Sequence, residues 1–143
     1  MTDTRQIELK HLRAEVSRLN LQGRGNVLAL PLDELDAAFN GCGPESLPEA
    51  ARQALDRFTA VFAPAVMAHD VDFTLADGLK AAFDAANLRL LINCAKCAFD
   101  AAPWNSWKRY SLLGEAWLIY RACDKFGWSA WLAAYNKNQT RKE

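Results

Sequence analysis

The sequence predicts an all-α fold: a small helical domain with an antiparallel helix hairpin. Three observations point there. Leu and Ala recur at steps of three and four, the spacing of one helix face. No strand-like alternation is bounded by turn residues. Gly, Pro and Asn punctuate the chain at a few separated points and leave long uninterrupted stretches between. At 143 residues the chain has the length of a single domain, 1–143. With 51% hydrophobic and 24% charged residues it is not an intrinsically disordered chain.

The elements follow in order. Residues 1–39 read as an N-terminal helical extension. Thr4 to Leu19 carry Leu9, Leu12, Val16 and Leu19 at helical steps, with charges between them. Gly23 and Gly25 break that helix. Leu28 to Leu30 form a short apolar piece before Pro31, and Asp33 is placed to cap a brief helical turn ending near Phe39. Asn40-Gly41-Cys42-Gly43-Pro44 reads as a loop and opens a core region, 40–100. Ser46 and Glu49 have the capping-box spacing, with Pro48 in the first turn. The helix they start continues through Leu55, Phe58 and Phe62, is kinked or restarted at Pro64, and runs on through His69 to Phe73. Ala76-Asp77-Gly78 makes a turn with Asp77 as a cap. Another helix spans about Leu79 to Phe99. Residues 101–135 hold a Trp-rich helix from about Trp104 to Phe126, a break at Gly127 and a short segment ending near Tyr135. The polar tail 136–143 is expected to fray.

Seventeen basic residues balance seventeen acidic ones, so nothing in the charge argues for nucleic acid. No apolar run reaches the ~18 residues of a membrane span. The N-terminus MTDTRQIELKHLR has no signal-peptide apolar region. Four cysteines are too sparse for a disulfide-stapled mini-domain. The expectation is a soluble chain made in the cytoplasm with reduced thiols.

His69-Asp70 is the first feature with chemistry in it. His11 lies among charges and reads as solvated; His69 lies in the apolar stretch AVMAHDVDF. A core histidine held by a backbone or carboxylate partner explains it blandly. Asp84 offers a sharper reading. The turn centres near residues 76–77, so helices folding back antiparallel would bring His69 level with Asp84. A buried carboxylate there would fix the imidazole tautomer and raise its basicity. The competing reading pairs Asp84 with Lys80, one turn earlier on the surface. Asp70 points about 100° away from His69 and suits a hard cation such as calcium, for which the loop from Asn40 to Glu45 offers carbonyls. An ordinary turn explains the same loop.

The order Gly41-Cys42-Gly43, then His69-Asp70-x-x-Phe73, then Asp84 on a second helix resembles secreted phospholipase A2. The likeness is to its divergent bacterial or phage branch with an NGCG-type calcium loop, and it covers about Asn40 to Cys97. The resemblance implies a phospholipase A2-like core and calcium-dependent hydrolysis of a glycerophospholipid ester at a membrane surface. By that likeness His69 is the general base that activates water, and Asp84 orients it. Asp70 ligates calcium with the carbonyls near Gly41, Gly43 and Glu45, while the Gly43 amide stabilises the oxyanion. The chain departs from the family at several positions. Ala65-Val66-Met67-Ala68 replaces its paired cysteines, Asp72 its HDxCY cysteine, Phe73 its tyrosine and Glu45 a loop glycine. Phe73 and Glu45 favour the alternative, a non-catalytic phage or prophage helical protein that keeps the scaffold. A phage-associated or non-classically delivered protein fits the missing cysteines.

Cys94 and Cys97 stand one helical turn apart. Zinc would need two more ligands from Cys42 and Cys123 at spacings no common site uses, and a redox pair would sit at a helix N-terminus, so buried thiols are expected. Five tryptophans crowd the last third of the chain. Trp104 and Trp107, beside Lys108 and Arg109, suit a lipid headgroup zone, which makes a membrane-surface binder a third reading. Core packing explains the helical spacing of Leu113, Trp117 and Tyr120. The oligomeric state is open.

Overall fold

Met67, Ala68, His69, Asp70, Val71, Asp72 and Phe73 are consecutive, and every one is buried. Successive helical residues point about 100° apart, so this stretch is covered on all sides. It belongs to the helix at the centre of the molecule. The computed structural model describes the backbone of residues 1–41 and 49–142, and the side chains outside 40–59. Among the described residues there are seven helices and no strand: α1 (Asp3–Arg18), α2 (Arg24–Ala29), α3 (Leu32–Gly41), α4 (Glu49–Thr74), α5 (Lys80–Ala101), α6 (Trp107–Phe126) and α7 (Trp128–Thr140). The protein is all-α, as its sequence predicts. Helix α4 packs against each of the other six.

Two cores meet along α4. The larger takes Leu9 and Val16 from α1, Val27 from α2, Leu35 from α3, Phe62 and Met67 from α4, Leu90 and Cys94 from α5, and Leu112 and Ile119 from α6. Each such side chain contributes ~1.5–3 kcal/mol when fully removed from water. The smaller core is aromatic. Phe73 and Phe83 meet Trp131 of α7 edge-on, with ring centroids 5.1 and 5.9 Å apart, and Trp128 meets Phe83 at 5.3 Å.

Polar ties hold the α1–α2 loop to α5. The buried Asn93 side chain accepts from the Gln22 backbone N–H at 2.8 Å and donates to the Gln22 carbonyl at 3.0 Å, as a neighbouring strand would. Arg18 grips both Glu15 and Asp100, and Lys96 donates to the Asn20 carbonyl.

Several boundaries differ from the expected ones. The Gly23–Leu30 stretch is not a bare break: Gly23, at φ +83°, starts the six-residue α2, which buries Val27. Helix α3 runs on through Asn40 and Gly41, so these two end a helix, where Asn and Gly are frequent, and do not begin a loop. The expected cap at Ser46 with Pro48 lies outside the described residues. Helix α4 passes through Pro64 without a break. Pro64 lacks an N–H for the carbonyl of Ala60, and Ala60 is solvent-exposed. The Trp-rich helix begins at Trp107, capped by the Ser106 side chain, and Trp104 precedes it. The C-terminal helix reaches Thr140 instead of ending near Tyr135. Asn138 holds it there by donating to the Thr74 carbonyl at 2.7 Å.

Candidate functional site

His69 sits in the last part of α4 with its ring against Phe73, centroids 4.8 Å apart. Its Nε2 lies 2.9 Å from Asn87 Oδ1 on α5. The amide oxygen only accepts, so Nε2 carries the ring proton. Burial pulls the imidazole below its usual pKa; the Asn87 bond and the Asp72 charge oppose this, and Arg89 adds to it. The ring is neutral at pH 7. Asn87 orients it without the negative charge that makes a carboxylate-bound histidine basic.

Asp84 is not the partner of His69. It is exposed, and its carboxylate pairs with Lys80 one turn earlier. The reason is register. Residues 75–79 link α4 to α5, and the left-handed residue is Gly78 at φ +80°. The 69–87 and 73–83 contacts are both centred on position 78. A centre shifted by one to two residues moves the partner by three, from position 84 to 87. The hairpin is there, but it sets an amide opposite the imidazole. Asp77 accepts from the Leu79 N–H at 3.0 Å and shapes the turn; α5 itself starts without a side-chain cap.

Asp70 and Asp72 are both buried. Asp72 is paired with Arg89 of α5 at 3.1 Å. Asp70 lies near Cys123 of α6: burial, and then the charges of Asp70 and Asp124, push that thiol up to about 12. Gly41 is the last residue of α3. Cys42, Gly43 and Glu45, and with them the expected oxyanion amide and loop carbonyls, lie outside the described residues. Among the described residues no three His, Cys, Asp or Glu side chains converge on a metal position.

Cys94 and Cys97 are buried as expected. Desolvation pushes the Cys94 thiol far up and the Cys97 thiol up to about 11, so both are unreactive protonated groups in the core.

The tryptophans divide. Trp131 is core, and half-buried Trp128 packs against it. Trp104 and Trp107 are 82% and 90% exposed. Arg109, expected beside Trp107 as a headgroup cation, turns inward. Its guanidinium donates to the carbonyls of Phe99 and Ala102, both at 2.8 Å, and closes the end of α5. Helix α6 buries Leu112, Ala116 and Ile119. Its opposite face carries Trp107, Tyr110, Gly114, Trp117, Leu118, Arg121 and Lys125, all exposed. At 100° per residue these seven fall within an arc of about 100°. The helix therefore has an apolar face that is covered and, opposite it, an aromatic face with two cations at its C-terminal end that stands in solvent.

Sequence reasoning missed Asn87, Asn93 and this second face. Asn87 and Asn93 carried a signal, since both interrupt the apolar stripe of α5 at core positions. The stripe on α6 was legible from Trp107, Tyr110, Trp117 and Leu118, whose spacing matches a face distinct from that of Leu112, Ala116 and Ile119. No family model, curated protein or solved structure matches this chain.

Proposed function

We propose that this chain is a non-catalytic helical interaction module that docks through the exposed aromatic face of α6. In this reading the α4–α5 hairpin keeps the form of a phospholipase A2-like core without its chemistry. The observation that carries it is the contrast between two histidine-and-tryptophan features. His69 is sealed in the bundle, neutral and held by an amide, whereas four aromatic or aliphatic side chains of α6 stand in solvent along one face. Patches of this kind on a folded chain mark interaction surfaces. Hydrolysis by a His-activated water needs an imidazole that reaches water and a carboxylate behind it, and Asp84 stands on Lys80 instead.

Mixed phosphatidylcholine and phosphatidylglycerol vesicles with millimolar calcium test the reading. The expected result is no fatty-acid release above a protein-free blank. Release that is abolished both by chelating calcium and by His69→Ala overturns it in favour of the calcium-dependent ester hydrolase. Trp104 and Trp107, which protrude furthest, favour a lipid surface as a second reading; co-sedimentation with the vesicles without cleavage is its signature.

A further inference from the structure

We infer that the partner of the α6 face is a second copy of this chain, with the two α6 helices antiparallel and crossing at Gly114. The inference rests on the docking role proposed above and names its occupant.

Gly114 is the starting point. It lies mid-helix at the centre of the exposed face, and a Cβ built there meets nothing within 4 Å. No packing inside the chain requires a glycine at this position, and glycine weakens a helix interior relative to alanine. A residue without a side chain is what a close helix–helix crossing uses, because it lets the backbones approach.

The face is self-complementary about that point. Trp107 and Arg121 each lie seven residues from Gly114, and Tyr110 and Leu118 each lie four. A two-fold antiparallel pair centred on Gly114 sets Trp107 of each copy against Arg121 of the other, and Tyr110 against Leu118. Indole under guanidinium is a cation–π pair. Contacts of this reciprocal kind define a closed two-fold interface. The two Arg121 charges stand about 20 Å apart along the crossing, beyond the ~8 Å screening length at physiological salt, and the chain has no net charge to repel its copy.

The area is also of the right size. Trp104, Trp107, Tyr110, Trp117 and Leu118 are between half and nine-tenths exposed. At 150–250 Å² per aromatic side chain they present on the order of 700 Å², near the ~800 Å² each partner contributes to a specific interface. A lipid surface is disfavoured because Arg109 is engaged at the end of α5, and because Glu115 and Asp124 on α6 cancel two of its three remaining cations, Lys108, Arg121 and Lys125.

Sedimentation velocity and light scattering from low to high micromolar protein test this. The expected result is a monomer–dimer equilibrium. Gly114→Leu, whose side chain has open space within the monomer, abolishes the dimer while the monomer keeps its helical circular dichroism and melts no lower, since leucine is the better helix former. Trp107→Ala and Arg121→Ala each raise the dimer Kd about tenfold, and the double variant is no weaker than either single one, because the two residues share one contact. A chain that stays monomeric throughout overturns the inference, as does a dimer indifferent to Gly114→Leu. The two readings fail separately. A monomer whose tryptophan emission shifts to the blue on vesicles, without ester cleavage, removes the self-pairing but keeps the docking face; His69-dependent cleavage removes the docking reading itself.

Discussion

The chemistry of His69 is decided by what surrounds it, not by its neighbour in sequence. A histidine beside an aspartate in an apolar stretch can be a base or a core residue, and the distinction is whether its partner carries a charge. Here the partner is the Asn87 amide. The imidazole is held below its ordinary pKa of 6.5 by burial first, with Asn87 and Asp72 opposing and Arg89 assisting. In the unfolded chain the same group takes a proton near pH 6.5. The unfolded state therefore binds more protons below that pH, and stability falls as pH drops through 6.5 toward the lower folded value. It is full above 6.5. The slope in that window approaches ~1.4 kcal/mol per pH unit for one proton. Denaturant unfolding at pH 7 and pH 5 checks it: His69→Gln is expected to lose less stability than wild type between the two, whatever its stability at pH 7. An equal loss in both chains refutes the sealed, neutral imidazole.

At the scale of elements, the long amphipathic helices were legible because their apolar residues repeat at three and four; α1 begins and ends within one residue of the stretch its leucines mark. Where pattern gave way to tertiary contact, it was not. Gly23 and Gly25 read as a break, yet Val27, buried against α4, draws the segment between them and Pro31 into α2. The tail beyond Tyr135 is polar, yet Asn138 reaches the Thr74 carbonyl and the helix continues. The site depended on hairpin register, and no composition or spacing reports whether a turn centres on residue 76 or 78. Gly78 also lies 3.1 Å, through an ideal Cβ, from the Tyr135 ring, so α7 helps to set that register. The α1–α2 loop gives a testable case. Asn93 serves both polar groups of the Gln22 backbone with one amide. Asn93→Leu fills the same volume but answers neither group, and is expected to cost about 2 kcal/mol. Amide exchange should rise locally at residues 20–24 while α4 stays protected.

At the scale of the molecule, α4 belongs to both cores and α7 to one. The larger core draws on six helices; α7 is seated by the aromatic cluster, by Tyr135 on Gly78 and by Asn138. Gly127 makes that seating possible, because a Cβ there would fall 2.5 Å from the Cys123 carbonyl and 3.2 Å from the Phe83 ring. Trp131 is the keystone of the cluster, meeting both Phe73 and Phe83. Removing a buried Trp costs ~3–5 kcal/mol, a large share of the 5–15 kcal/mol that typically separates folded from unfolded. Trp131→Ala should therefore lower Tm by roughly 10 °C or more. The loss should not be uniform. Amides of α7 should exchange first, because its remaining contacts are few, while those of Met67–Phe73 should remain the slowest, because every residue of that stretch is buried. Trp131→Phe separates packing from polarity. The indole Nε1 is buried without an acceptor among the described residues, so Phe discards an unsatisfied donor while keeping a ring against Phe73, and should cost well under half as much as Ala. If α7 and α4 lose protection together in Trp131→Ala, the two cores form a single cooperative unit and the division drawn between them is wrong.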